Sequence, residues 1–278
     1  MRSRNKIGIV QGRLSSQVGA TIQSFPVNTW QDEFPLAQKA GLGCIEWIYE
    51  KETEHDNPLR TDDGVKEIHR LEREWSVVTR SICADYYMTN FLINSSGKPI
   101  PSLEKHLKWL IGRASLIECN YIVLPFVDSS SLKTPDQIRG ITVLLRSMIP
   151  CLEKHDVELH LETDLPPTVL LKLLESMDHN LIRSNYDIGN SASLGHDPRQ
   201  ELTLLKNWIG SVHVKDRILG GGTVSLGTGS ADFALCFERF KLMKYERPYI
   251  LQAARDTALS EVELAIRNRK FIESYLSN

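Results

Sequence analysis

Four polar residues fall at the ends of short apolar runs in the second half of this chain. Glu162 closes VELHLE, Asp187 lies within IRSNYDI, His213 within SVHVKD, and Gln252 closes YILQ. A carboxylate in an apolar strand is costly unless it is paired or holds a cation. Two carboxylates, an imidazole and an amide oxygen, with no thiolate, form a donor set suited to one divalent ion: Mn, Mg, Co or Zn. The separations are 25, 26 and 39 residues, each close to one strand-and-helix unit. The third is lengthened by the glycine-rich LGGGTVSLGTG at 219–229. Any one of these residues alone is more ordinarily a buried hydrogen-bonding group. Three on successive strands at matching depth favour a shared site.

The elements that must position them alternate along the chain. Short dense apolar clusters at 6–10, 44–48, 77–83, 121–127, 157–162, 182–188, 211–216 and 249–252 read as strands buried on both faces. Longer segments of helical period lie between. Leu103, Leu107, Leu110, Ile111, Ala114 and Ile117 share one face. Thr134, Pro135 and Gln137 make a capping box with a preferred proline, and Ser260 with Glu263 repeats the box. Val262, Ala265, Ile266, Ile272 and Leu276 form the inward stripe of the last helix. Eight such units within 278 residues predict an α/β fold, a single (β/α)8 TIM barrel spanning 1–278. The competing doubly wound sheet expects a G-x-G-x-x-G turn after its first strand, and IGIVQGRLS has none. In a barrel, chemistry collects at the C-terminal strand ends, where the four residues lie.

Composition narrows the partners. Hydrophobic residues make up 41% and charged residues 24%, with a formal net charge of −2. No cationic block advertises nucleic acid or a membrane surface. No apolar run reaches spanning length, and only Ile7 to Val10 could serve as the core of a leader. Five scattered cysteines without a C-x-x-C pair read as reduced packing thiols of a cytoplasmic protein. The oligomeric state, a homo-oligomer included, stays open.

Cations gather near the same rim: Arg13, Lys215, Arg217 and Arg255. With flexible glycine backbone they could hold a phosphate, or they could simply be solvated or paired with Asp216 and Asp256. Trp47 could stack on the apolar face of a sugar, or pack in the core. Tyr86 and Tyr87 could help close the pocket. His69, His106 and His155 fall in helical segments and read as surface residues. Cys83 lies near the rim, with no histidine placed beside it to make it a nucleophile.

The stretches ETD (162–164), YDIGN (186–190), SVHVKD (211–216), Gly229 to Phe233 and PYILQ (248–252) resemble the xylose isomerase-like TIM barrels, most of all the pentulose-phosphate epimerases. The resemblance implies a small-molecule sugar or sugar phosphate as substrate. It implies one divalent metal on Glu162, Asp187, His213 and Gln252, with Glu162 also the catalytic base. It places Asn190 near the substrate, and Glu46 either near the substrate or behind the residues that touch it. The chain departs from the family at 252, where a second catalytic glutamate is expected. An amide oxygen can ligate a metal but has no useful basicity. A two-base epimerase lacking one base loses a factor of about 10²–10⁴ in rate. An aldose–ketose isomerisation needs proton transfer on one face only, so Glu162 alone could serve. The expected activity is therefore sugar isomerisation or epimerisation. The alternatives are sugar binding without turnover and, last, an abasic-site endonuclease, disfavoured by one strand-end histidine and no basic excess.

Overall fold

The computed structural model describes residues 6–17 and 23–277; the N-terminal MRSRN, part of the leader reading, lies outside them. Eight parallel strands close into a barrel: β1 (Ile7–Val10), β2 (Cys44–Ile48), β3 (Val78–Cys83), β4 (Tyr121–Phe126), β5 (Glu158–Thr163), β6 (Ile182–Asp187), β7 (Ile209–Val214) and β8 (Tyr249–Leu251). Their spatial order follows the chain, and β8 pairs with β1 to complete the ring. The expected (β/α)8 barrel is thus the observed fold.

The helices are α1 (Glu33–Lys39), α2 (Asp62–Trp75), α3 (Tyr86–Thr89), α4 (Pro101–Leu116), α5 (Pro135–His155), α6 (Pro167–Met177), α7 (Ile188–Ser193), α8 (Pro198–Leu205), α9 (Phe233–Leu242) and α10 (Glu261–Leu276). Local chemistry sets their ends. Thr134 accepts from the Gln137 N–H at 3.2 Å while Gln137 accepts from the Thr134 N–H at 3.0 Å, closing the capping box of α5. Ser260 and Glu263 do the same for α10. No helix among the described residues is long and apolar enough to cross a membrane.

The main core lies between the strand ring and the helices. Leu107, Leu110, Ile111 and Ala114 of α4 are buried in it, as their spacing requires. On α10 the stripe is shifted: Leu264, Ala265 and Ile272 are buried, whereas Leu276 is 44% exposed at the helix end. β7 begins at Ile209, two residues before the expected start, and ends at Val214. Lys215 and Asp216 therefore belong to the rim. Beyond them Asp216–Arg217 pairs antiparallel with Thr223–Val224, which folds part of the glycine insertion into a small hairpin.

Candidate functional site

Strand periodicity decides what enters the barrel. Successive side chains on a strand point to opposite faces, so Glu158, His160 and Glu162 of β5 share the inner face. Register then levels the groups: Asp187 of β6 pairs with His213 of β7, and Ile250 of β8 pairs with His213. Gln252 therefore sits two residues nearer the rim than His213.

The ligand-type atoms of Glu162, Asp187 and His213 lie within 4.8 Å of one another, and all three residues are buried. His213 Nδ1 is 3.4 Å from Glu162 Oε2 and 4.0 Å from Asp187 Oδ2. Neither Nδ1 nor Asp187 Oδ2 has a well-formed hydrogen bond, although Lys215 Nζ stands 2.8 Å from Oδ2 as a charge contact. A buried ring nitrogen left unmatched beside two carboxylates suits a cation. The other ring nitrogen of His213 is fixed: Nε2 is 2.7 Å from Glu46 Oε1, and Glu46 Oε2 accepts from Ser81 Oγ at 2.7 Å. A carboxylate behind the imidazole orients it and strengthens it as a ligand. These residues fit a divalent ion.

Charge in the cluster is tightly balanced. Burial alone would push the Glu162 carboxyl up, but His213 and Lys215 hold it down to about 2. Burial raises Asp187 despite Lys215, with the Glu162 charge adding to the rise. Burial opposes charge on His213, yet Glu46 and Glu162 outweigh it and raise the imidazole well above its ordinary value. Lys215 likewise stays above its ordinary value despite burial, through Asp187 and Glu162.

Glu162 is also anchored by amides. Its Oε1 accepts from Asn190 Nδ2 at 2.8 Å and its Oε2 from Asn185 Nδ2 at 3.3 Å. Beneath it, Ser211 Oγ donates to Asn185 Oδ1 at 2.7 Å and lies 2.8 Å from His160 Nδ1; His160 Nε2 is 2.7 Å from Glu158 Oε2. This polar column continues down the barrel interior to Arg247. Above the cluster opens a cavity of about 470 Å³, lined by Glu162, Asn190, Lys215, Arg217, Gln252, Arg13, Gln23 and Asp85, among others.

Residues 34–275 match the family model described as Xylose isomerase-like TIM barrel. The chain belongs to that family. L-ribulose-5-phosphate 3-epimerase UlaE of Shigella boydii is 32% identical over 92 residues, which is 33% of this chain and 32% of that relative. Across almost the whole chain the fold resembles the IOLI protein with a binding zinc atom (TM-score 0.75, 13% identity, 98% of this chain and 99% of that one). It also resembles D-allulose 3-epimerase from Methylomonas sp. in complex with D-allulose (TM-score 0.72, 14% identity, 98% and 97%).

The xylose isomerase-like barrel brings Glu162, Asp187, His213, Asn190, Lys215, Arg217, Gln252 and Arg13 to one mouth. Gln252 lies there with its Oε1 accepting from Lys215 Nζ at 2.9 Å and its Nε2 donating to Gln23 Oε1 at 3.0 Å. Gly229 helps shape the insertion beyond Lys215: a Cβ there would meet Asp216 Oδ1 at 2.3 Å, and its N–H donates to Asp216 Oδ2. Three candidate substrate residues lie away from the cavity, Glu46 and Trp47 in the buried places that the sequence also left open for them. Glu46 is wholly buried below the mouth, on His213. Trp47, its strand neighbour, therefore points outward, packs on Trp30 and Phe25, and donates to Asn57 Oδ1 at 3.1 Å. Arg255 donates to Ser15 O and Gly12 O behind the β1 loop and lines a separate recess of about 20 Å³. His106 is not a plain surface residue. It stacks on Tyr86 at 4.2 Å and pairs with Glu54, because α3 folds Tyr86 and Tyr87 back over α4. Sequence reasoning missed Asp85, Gln23 and the Asn185–His160 column. For the column a signal existed: the polar residues of VELHLE alternate with leucines, placing them on one strand face.

Proposed function

We propose that this protein is a metal-dependent sugar or sugar-phosphate isomerase or epimerase that moves a proton at a carbon next to a carbonyl. The observation that carries the proposal is the convergence of Glu162, Asp187 and His213, with His213 Nδ1 unmatched, beneath a cavity of sugar size. Glu162, Asp187 and His213 would hold the ion, with the Gln252 amide oxygen close by on Lys215. Held by these residues, a divalent ion would supply Lewis-acid polarisation of a substrate carbonyl. Glu162, ionised and steered by Asn185 and Asn190, takes the proton from the adjacent carbon. Asp187 fixes Asn190 by accepting its backbone N–H at 2.8 Å. Arg217 Nη1 donates to Asn190 Oδ1 at 2.9 Å, which holds the amide in place. Arg13, Lys215 and Arg217 give the cavity wall three cations that suit substrate hydroxyls or a phosphate. The partial relative and one of the two structural neighbours are epimerases, which supports this reaction class.

The test is exchange in D2O. The Mn²⁺-loaded protein is given a panel of ketoses, aldoses and their phosphates. Deuterium is expected at a carbon flanking the carbonyl of at least one, and Glu162→Gln should slow it by about 10²–10⁴. A second reading has its own support, since Gln252 is tied to Lys215 and cannot act as a base. Sugar-dependent stabilisation with no exchange at any carbon would replace turnover by binding alone.

A further inference from the structure

Besides Glu162, two carboxyl residues line the cavity, Asp85 and Asp128, and Asp85 is the one tied by a glutamine to Gln252. Asp85 follows β3 and lines the same mouth as Glu162 and Gln252. It stands immediately before α3, where an aspartate commonly caps the helix, yet its side chain makes no capping bond. The carboxyl is instead held in the cavity wall. Its Oδ2 accepts from Gln23 Nε2 at 2.8 Å, and its Oδ1 accepts from the Cys83 thiol at 3.2 Å. Gln23 Oε1 accepts in turn from Gln252 Nε2. One glutamine thus links Asp85 to Gln252. Glu162 is anchored on another wall, through Asn185 and Asn190 of the β6 side.

We propose that Asp85 is the second proton-transfer residue of this cavity, doing for a ketose what a carboxylate at 252 would do. The inference rests on the epimerase form of the function above. Glu162 takes the proton from C3, the C3–H pair forms the C2–C3 double bond, and the carbonyl pair moves to O2, giving an enediolate. Asp85 then gives its proton to C3 from the other face, and the carbonyl re-forms. Glu162 ends protonated and Asp85 ionised, and exchange with water resets both. Asp85 suits the donor part: burial pushes its carboxyl up to about 6, and the Glu162 and Glu50 charges add to the rise, against its bonds from Gln23 and Cys83. Arg13, on the β1 loop, is a cation that interacts with it.

The experiment follows C3 deuteration and epimer formation together, by NMR in D2O, with Mn²⁺-loaded protein and the ketose panel. The wild type should form a C3 epimer carrying solvent deuterium. Asp85→Asn should still exchange C3 through Glu162 but form epimer at least about 100-fold more slowly, and Asp85→Glu should recover part of that loss. Melting temperature and Mn²⁺ affinity should match wild type in both. If Asp85→Asn misfolds, Asp85→Ser takes its place with the same expectation. Epimer formation at the wild-type rate in a folded Asp85 variant overturns the role of Asp85 and leaves the epimerase reading standing. Absence of exchange by the wild type at every carbon overturns both.

Discussion

Lys215 is the residue on which the electrostatics of the mouth turn. Its ammonium is shared between Asp187 Oδ2 at 2.8 Å and Gln252 Oε1 at 2.9 Å. It thereby neutralises part of the charge that a divalent ion would meet. An ammonium and a dication about 4 Å apart repel by roughly 8 kcal/mol at an effective dielectric near 20, so the two compete for Asp187. Lys215→Met should therefore bind Mn²⁺ about tenfold more tightly or better, as read by titration calorimetry. Weaker binding would mean that Lys215 organises the ligands rather than competing with the ion. At this scale the sequence was informative wherever a polar residue interrupted an apolar strand, which is how Glu162, Asp187 and His213 stood out. At Glu46 and Trp47 it left a substrate contact and a buried role both open; the structure takes the buried role for each, since neighbours on a strand face opposite ways and cannot both reach one ligand. It was silent on Asp85, whose loop carries no period and whose partner Gln23 lies 62 residues away.

Elements are held to one another by buried polar groups, and the β1 loop is the clearest instance. Glu33, at the start of α1, accepts from the backbone N–H groups of Gly12 and Leu14 at 2.9 and 3.1 Å and from Ser15 Oγ at 3.0 Å. It thereby fixes the loop that carries Arg13 to the mouth. Burial pushes the Glu33 carboxyl up to about 7, against those hydrogen bonds. A carboxyl raised in the folded state takes up its proton more readily there than when unfolded. Its contribution is thus fully present below the unfolded value of 4.5 and is lost as pH rises through about 7. Relative to Glu33→Gln, the wild type should lose stability across that window by up to about 1.4 kcal/mol per pH unit, and the difference should level off above it. Urea melts of both proteins at pH 5, 6, 7 and 8 measure this, and a gap widening in favour of the wild type would contradict it. The tie itself was not legible, since it joins a helix start to a loop 18 to 21 residues earlier. Contacts written in local chemistry were legible: the boxes at Thr134 and Ser260 need only a residue and its third neighbour.

At the scale of the whole molecule, the eightfold alternation of apolar strands and periodic helices made the barrel readable. Closure of the ring is a long-range fact, carried by pairs such as Ile7 with Tyr249. The same closure predicts how metal binding and stability are linked. Glu162, Asp187 and His213 come from β5, β6 and β7, adjacent staves of a ring without edges. Separating any of them opens the barrel, so an ion that joins the three binds the folded chain and not the unfolded one. At a free concentration of 100 times the dissociation constant such an ion adds about 2.7 kcal/mol. For a chain of this size each kcal/mol moves the melting temperature by about 2–4 °C. Mn²⁺ should therefore raise the melting temperature by roughly 5–10 °C, and a chelator should reverse the rise. In His213→Ala the rise should vanish, because one ligand of three is gone and the carboxylates lose the imidazole between them. That variant melts lower to begin with, so the decisive quantity is the difference between its metal-loaded and chelated forms. An equal rise in wild type and variant would place the ion elsewhere in the molecule and remove the centre on which the proposed proton transfer depends.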